Sequence, residues 1–222
     1  MKLTDEYIAA VPPATQTIPD YMKVMEDAGL AHMALCGDSL EDLWARGESM
    51  MFSRAGIRLH RTDLAPDRVV TRIASCKGVR AQRHFRFYAG DVLTAEAMNE
   101  SFCVKMDTHQ VFRGTWFRMD GPALKTEFTL RRLPSPKTPG ILAGIREVQP
   151  HETDYNGHLH NTHYWSYALE ALAPAQPPVE MHLQFHREIL PGSPFELIRL
   201  EDGCTVMGRQ NGETAFVAVA TW

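Results

Sequence analysis

One short stretch of the chain, residues 151–164, concentrates side chains that can bind and transfer protons. It holds the acids Glu152 and Asp154, four histidines and two asparagines around Gly157. An apolar run with helical spacing begins at Tyr164, where the stretch ends. Polar side chains at this density add little to a hydrophobic core. Their types instead suit a site that activates water and stabilises a developing negative charge.

The spacing within this stretch indicates which side chains act together. Asp154, Asn156 and His158 alternate along the chain, and in an extended or irregular lead-in to a helix this spacing presents all three to one cleft. A helix start also offers unpaired backbone N–H groups at the positive end of its dipole. The sequence therefore predicts backbone donors for an oxyanion at four positions, which are Gly157, Leu159, His160 and Asn161.

The secondary-structure elements around residues 151–164 belong to a pattern, a helix followed by strands, that occurs twice in the chain. In the first occurrence Thr17 caps a helix with Pro19 in its first turn, and residues 49–106 follow as long strands broken by glycine turns. In the second, a helix over Asn161–Leu172 is ended by prolines and followed by an alternating strand that begins near Val179. Each half is therefore expected to be one helix followed by an antiparallel meander.

The repeat is also visible in the letters, since residues 57–64 (IRLHRTDL) align with residues 183–190 (LQFHREIL). Each copy is too small to bury both faces of a curled sheet by itself. We therefore expect an α+β fold in which two tandem helix-wrapped antiparallel sheets form one continuous, pseudo-dimeric sheet. The first unit, together with a proline-rich linker, is assigned to residues 1–138 and the second to residues 139–222.

A helix wrapped by such a meander is the hotdog unit, and two segments resemble the acyl-ACP thioesterases. Residues 154–164 (DYNGHLHNTHY) resemble that family's Asp-x-Asn-x-His-Val-Asn-Asn-x-x-Tyr, with Leu159 in place of Val and His160 in place of the first Asn of the pair. Residues 185–189 resemble its aromatic-x-Arg-Glu-Cys stretch, with Ile189 in place of Cys. The resemblance covers nearly the whole chain as a tandem arrangement. It implies a double hotdog, thioester hydrolysis in the second unit, and an acyl chain held largely against the first.

The resemblance leads to a hypothesis for four side chains. Asp154 and Glu188 orient and deprotonate a water molecule, with His158 as proton partner or orienting donor and Asn156 holding the water or the thioester carbonyl. In the first copy Thr62 occupies the position of Glu188, and the lead-in to its helix has neither acid nor histidine. That copy is therefore expected to form a wall or an acyl pocket. The reaction requires neither a cofactor nor a metal.

Apolar side chains are the candidates for contact with the acyl chain, because methionine adapts to flexible ligands. The predicted substrate contacts are Met22, Met25, Met51, Phe52 and Tyr164. The alternative is that most of the methionines are ordinary core residues.

Other chemistry also fits parts of the sequence. A cysteine–histidine nucleophile is the rival chemistry, but Ile189 stands at the family's cysteine position, and no spacing brings Cys204 to His158. His158, His160 and His163 offer nitrogen ligands for zinc, although their spacing is not a usual zinc pattern. The fold also hosts other functions. A hotdog-fold hydratase or dehydratase acting on hydroxyacyl or enoyl thioesters, or a non-catalytic acyl-thioester binding module, therefore remains the alternative function.

Composition limits the partners. The chain has 222 residues and a net charge of −4, which gives no reason to expect nucleic acid, and no apolar run approaches the ~18 residues of a membrane span. The acidic start and four cysteines without C-x-x-C spacing predict a cytoplasmic protein. The expected partner is an acyl carrier protein or a CoA thioester, with pairing of two tandem chains left open. A basic set either meets that partner or is merely solvated: Arg80, Arg83, Arg86, Arg131 and Arg132.

Overall fold

A computed structural model of the chain describes residues 1–114, 119, 122–138 and 140–222. The chain divides into two compact units, Met1–Leu130 and Arg131–Trp222. Each unit is an antiparallel sheet with one long helix packed against it. The α+β class is therefore the predicted one. Over the described residues, no helix combines the length and the apolar character needed to cross a membrane.

The first unit contains two helices and six strands among its described residues. In chain order they are β1 (Tyr7–Ala10), α1 (Ile18–Leu35), α2 (Leu40–Ala45), β2 (Glu48–Leu59), β3 (Arg68–Lys77), β4 (Arg80–Ala89), β5 (Val92–Lys105) and β6 (Val111–Phe112). The strands pair in the order β1-β3-β4-β5-β2, and β6 pairs with β5. The predicted strand region is confirmed, with the turns between β3 and β4 and between β4 and β5 at the expected glycines.

The start of α1 follows from its sequence. The Thr17 side chain accepts the Asp20 N–H, and the Asp20 carboxylate accepts the Thr17 N–H at 2.8 Å, which closes a capping box. Ile18, Met22 and Met25 lie on the buried side of the helix, as their spacing predicts. The first apolar face of the chain is therefore packed against its own sheet.

The second unit repeats this order around the residues of interest. Its elements are β7 (Gly140–Arg146), a 3₁₀ turn (Pro150–Glu152), α3 (Asn161–Leu172), β8 (Glu180–Phe185), β9 (Phe195–Leu200), β10 (Thr205–Gln210) and β11 (Glu213–Thr221). The strands pair in the order β8-β11-β10-β9-β7. The predicted bounds of α3 are confirmed. The helix ends at the left-handed Ala173, which has a φ of 44° and is followed by a proline.

The letter-level repeat has a counterpart in the backbone. At the end of β2 and of β8, two successive N–H groups donate to a single carbonyl, in the first unit from His60 and Arg61 to Thr94 and in the second from His186 and Arg187 to Ala215. The aligned histidines therefore occupy equivalent backbone positions. Two residues further on, Thr62 and Glu188 also correspond.

The segment that begins at Arg131 belongs with the second unit, so the first compact unit ends at Leu130, before the predicted boundary at residue 138. Polar side chains on β8 hold this segment. The Leu133 N–H donates to the Gln184 side chain at 2.8 Å, and His186 Nε2 donates to the Leu133 carbonyl at 2.9 Å. The strand lies where its alternating pattern predicts, but Glu180 to Leu183 are buried on both faces instead of one, because the segment after Arg131 covers the polar side.

Candidate active site

A tight turn leads into α3, and Asp154 builds it. Asp154 Oδ1 accepts the N–H groups of Asn156 at 2.8 Å and His158 at 3.1 Å, while the Asp154 N–H donates to the His158 carbonyl at 2.8 Å. The Gly157 N–H donates to the Asp154 carbonyl at 3.0 Å. Gly157 has a φ of 78°, a conformation that other residues rarely adopt. Asp154 and Gly157 therefore fix the backbone that presents His158.

The structure brings His158 against Glu188. The distance between His158 Nε2 and Glu188 Oε2 is 3.3 Å, and the two side chains are 20% and 29% exposed. A backbone bond stabilises the approach, since the Leu159 N–H donates to the Ile189 carbonyl at 2.9 Å. The two segments identified from the sequence thus meet at a partly exposed acid–imidazole pair, which can accept a proton and pass it on.

Tyr164 is bonded to the backbone next to this pair. Its hydroxyl oxygen accepts the Ile189 N–H at 3.1 Å, and its ring packs edge-on against Phe185 and Phe216. Burial raises the pKa of Tyr164, and the charges of Glu188 and Asp154 raise it further. The phenol is therefore neutral near neutral pH and keeps its proton.

The loop after Glu188 is held by a residue that no pattern in the sequence selects. Gln210, on β10, accepts the Leu190 N–H at 3.0 Å and donates to the carbonyls of Leu190 and Ser193, both at 2.8 Å. Gln210 is buried. Its amide thereby fixes the backbone that follows Glu188. A contact between residues so far apart in sequence leaves no local signal.

Asn156 takes a different place from its two neighbours in the motif. It is exposed on the turn, and its backbone N–H is the group that bonds Asp154. Among the described residues, none forms a hydrogen bond with its side chain. The alternating spacing therefore brings only His158 onto Glu188, and any contact of Asn156 with substrate stays a prediction.

The expectation of unpaired amides needs correction at three of the four predicted positions. The N–H groups of Gly157, Leu159 and His160 donate to the carbonyls of Asp154, Ile189 and Glu152, at 3.0, 2.9 and 2.8 Å. The reason is that the lead-in folds back on itself before α3 begins, so its donors are used internally. Asn161, the fourth position, is the first residue of α3.

Two of the histidines in the stretch have structural contacts. His160 caps α3, because its Nδ1 accepts the Thr162 N–H at 3.4 Å. His163 Nδ1 lies 3.9 Å from Glu152 Oε1, and burial lowers the pKa of His163. In the described part of the chain, no three His, Cys, Asp or Glu side chains are grouped as metal ligands.

Glu152 is a second residue that stabilises the lead-in to α3, and its role could not be assigned from the sequence. Its carboxylate accepts the Tyr167 hydroxyl at 2.7 and 2.9 Å and the Gln149 N–H at 2.8 Å. Its carbonyl accepts the His160 N–H. Burial raises the pKa of Tyr167, with Glu152 adding to the effect. Glu152 therefore ties α3 to the turn that precedes it.

The cysteines do not match a nucleophile. The Cys204 N–H donates to Asp202 at 2.9 Å in a turn after β9, and burial raises the pKa of its thiol. Cys103 is buried in the first unit, where burial raises its pKa to about 12. A reactive thiol needs a lowered pKa. The buried Ile189 occupies the one cysteine position that the resemblance offered.

The candidate acyl contacts have two kinds of surroundings. Met22 and Met25 are buried on α1, and Tyr164 is buried on α3. Met51 and Phe52 lie on β2 and are half-buried. Burial among neighbouring side chains is compatible with a core role as well as with a pocket wall.

One member of the basic set is not on the surface. Arg83 is only 5% exposed, and its guanidinium donates to His32 Nδ1 at 2.9 Å. The other four are at least partly exposed, and three of them have acidic partners: Arg80 with Glu100, Arg86 with Glu6, and Arg131 with Glu180. The expectation of a carrier contact is therefore wrong for Arg83.

Comparison with known proteins identifies the architecture. No protein-family model and no curated protein sequence matches the chain. An acyl-ACP thioesterase from Bacteroides thetaiotaomicron aligns over 98% of this chain and 96% of its own, with a TM-score of 0.75 and 15% identity. The 12:0-ACP thioesterase from Umbellularia californica aligns over 100% and 98%, with a TM-score of 0.73 and 16% identity. The fold is the double hotdog.

A third double hotdog gives the same result. An oleoyl thioesterase from Lactobacillus plantarum aligns over 97% of this chain and 94% of its own, with a TM-score of 0.77 and 14% identity. These similarities confirm the fold predicted from the resemblance. At such identities they leave the reaction to be argued from the site itself.

Proposed function

We propose that this protein is a thioesterase that hydrolyses fatty acyl thioesters, with acyl-ACP as the favoured carrier and acyl-CoA as the other. The observation that carries the proposal is the 3.3 Å contact between His158 and Glu188, directly beside the turn built by Asp154. A partly exposed acid–imidazole pair is a proton acceptor suited to activating water. Support comes from the similar structures, which are described as acyl-ACP and oleoyl thioesterases.

In the proposed reaction, water is the nucleophile. Its oxygen forms a bond to the thioester carbon while Glu188 accepts its proton. The C–S bond then breaks, and the leaving thiolate takes that proton through His158. The products are a free fatty acid and the thiol of the carrier, so the catalytic groups return to their starting state.

Asp154 has a supporting part in this proposal. Its Oδ1 is occupied by two backbone N–H groups, so it holds the turn that presents His158. Its negative charge also lies close enough to act on the Tyr164 hydroxyl. We assign Asn156, exposed on the same turn, to contact with substrate or water.

The first unit is proposed to receive the acyl chain. Met22, Met25, Met51 and Phe52 remain the candidate contacts, since Thr62 replaces the catalytic acid in that unit. The proposal places the enzyme in fatty acid biosynthesis in the cytoplasm.

The test is thiol release from a panel of acyl-ACP and acyl-CoA thioesters of increasing chain length, detected with a thiol-reactive dye. We expect release by the wild type and a fall of about 10²–10⁴-fold in kcat for Glu188→Gln. Glu201→Gln, which removes an exposed acid in a turn, is the matched control and should retain activity.

Other outcomes would overturn the proposal. Loss of enoyl absorbance without thiol release would identify a hydratase or dehydratase. Tight binding without any reaction would identify an acyl-binding module. An acyl-enzyme trapped on a cysteine and detected by mass spectrometry would replace the activated-water mechanism with covalent catalysis.

A further inference from the structure

The hydroxyl of Tyr164 has bonding capacity that the fold leaves unused. A phenol offers one donor and can also accept hydrogen bonds. Its oxygen accepts the Ile189 N–H. Over the described residues, none accepts the Tyr164 O–H proton. Since Tyr164 is 3% exposed, an unused donor there is unfavourable, and a ligand that accepts this bond would relieve it.

The position of this donor is well defined. Ile189, which bonds the hydroxyl, follows Glu188 in sequence, and its carbonyl accepts the N–H of Leu159, which follows His158. The hydroxyl is thereby bonded to the residue that follows Glu188, and that same residue is bonded to the residue that follows His158. Edge-on contacts with two phenylalanines fix its ring.

The neighbouring backbone N–H groups cannot donate a hydrogen bond to a ligand in place of the Tyr164 hydroxyl. Each backbone N–H from Asn156 to His160 donates to an acceptor within the unit, either to Asp154 or to the Ile189 and Glu152 carbonyls. The negative charges of Asp154 and Glu188 act on the same hydroxyl. A developing oxyanion would be repelled by those charges, whereas a neutral water would bind well between an O–H donor and a carboxylate acceptor.

We propose that the Tyr164 hydroxyl is a catalytic group that donates a hydrogen bond to the attacking water while Glu188 accepts that water's proton. The inference rests on the proposed thioesterase function. Held in this way, the water keeps a lone pair for the thioester carbon. Its oxygen forms that bond while its proton passes to Glu188, and the C–S bond then breaks. Tyr164 keeps its own proton throughout.

The direct test is Tyr164→Phe, which retains the packed ring and removes only the hydroxyl. Losing this one hydrogen bond should lower kcat about 10- to 100-fold, with KM little changed. Tyr21→Phe is the matched control, because Tyr21 is also the fourth residue of a long helix and is also buried, in the unit that has no catalytic pattern.

A second measurement separates water positioning from general damage to the site. With hydroxylamine added as a competing nucleophile, Tyr164→Phe should give a larger share of acyl hydroxamate relative to free acid, because water has lost its donor. An unchanged share with a lower total rate would mean that the hydroxyl merely supports Glu188, and would overturn the inference. So would a wild-type kcat in Tyr164→Phe, or an equal rise in share in Tyr21→Phe. A wild-type protein that releases no thiol would instead refute the proposed function itself.

Discussion

Asp154 shows how one side chain can hold a backbone and contribute a charge. Its Oδ1 accepts two N–H groups of the turn, which a neutral amide oxygen could also accept. Its negative charge is a separate contribution, sensed by the Tyr164 hydroxyl. Substitutions can therefore separate the two contributions at this position.

We expect Asp154→Asn to fold with nearly wild-type stability and to lose hydrolytic activity, because the amide keeps the turn but cannot join Glu188 in orienting and deprotonating the water. Asp154→Ala should lose activity and, because two N–H acceptors disappear, should also lose about 1–3 kcal/mol of stability. Urea unfolding and kcat for both variants check this. Near-wild-type hydrolysis by Asp154→Ala in a folded protein would remove Asp154 from the site.

Single residues also show which parts of the candidate site could be predicted from the sequence and which could not. His158 and Glu188 could be selected because the motif names one and the internal repeat places the other, opposite Thr62 in the first copy. The pairing of Leu159 and His160 could not be foreseen, since their acceptors are the carbonyls of Ile189 and Glu152, which only folding brings near. Backbone hydrogen bonding in an irregular segment has no signature in residue types.

At the scale of elements, α1 is tied to β4 by a buried polar contact. His32 on α1 is fully buried, accepts a bond from Arg83 on β4, and donates from Nε2 to the Lys2 carbonyl at 3.2 Å. These partners require the neutral imidazole. Burial, followed by the charge of Arg83, lowers the pKa of His32 to about 4.

The buried hydrogen bonds of the neutral His32 predict that the protein loses stability in acid. The unfolded histidine takes up a proton near its ordinary pKa of about 6.5, while the folded one resists until about pH 4. Stability is therefore full above pH ~6.5 and should fall by on the order of 2–3 kcal/mol as the pH decreases to ~4. Urea unfolding between pH 7 and 4 measures it.

Two glutamine substitutions test whether His32 causes this pH dependence. His32→Gln should flatten that pH dependence, because an amide can donate and accept without titrating in this range. His151→Gln, which replaces an exposed histidine, should leave the slope as in the wild type. Equal slopes in the wild type and His32→Gln would show that other groups control acid stability.

The long elements could be predicted and the short ones could not. For α3, a polar lead-in, helical spacing and three closing prolines give the same bounds as the structure. The turn between β10 and β11 can also be predicted, because an Asn-Gly pair favours the positive φ of a two-residue hairpin, and both Asn211 and Gly212 have it. In contrast, α2 covers Leu40–Ala45 only. Six residues are too few for a periodic pattern, although Ser39 and Asp42 form a capping box there.

At the scale of the whole molecule, the net charge does not attract an acidic carrier protein, whereas a local positive charge can. A net charge of −4 gives no general attraction to an acidic carrier protein, so any attraction must be local. Arg132 is exposed and, among the described residues, forms no ion pair. Its charge is therefore available to a partner, unlike that of the buried Arg83.

We expect Arg132→Glu to raise KM for acyl-ACP several-fold and to leave kcat nearly unchanged, with an effect that weakens as salt is added. Steady-state kinetics at two ionic strengths measure it. Lys77→Glu makes the same change in net charge at another exposed position. If both variants behaved alike, or if uncharged acyl-pantetheine showed the same rise, the carrier would not contact Arg132.

The carbonyls of Thr94 and Ala215 each accept two successive N–H groups, which shows that two different sequences build the same backbone bend. In an assembly of identical subunits, every substitution is imposed on both copies of such a bend. Here the copies are joined in one chain, so each can be altered without its counterpart. Symmetry survives in the main chain while the side chains at Thr62 and Glu188 have diverged, so each of these two positions can be substituted by itself.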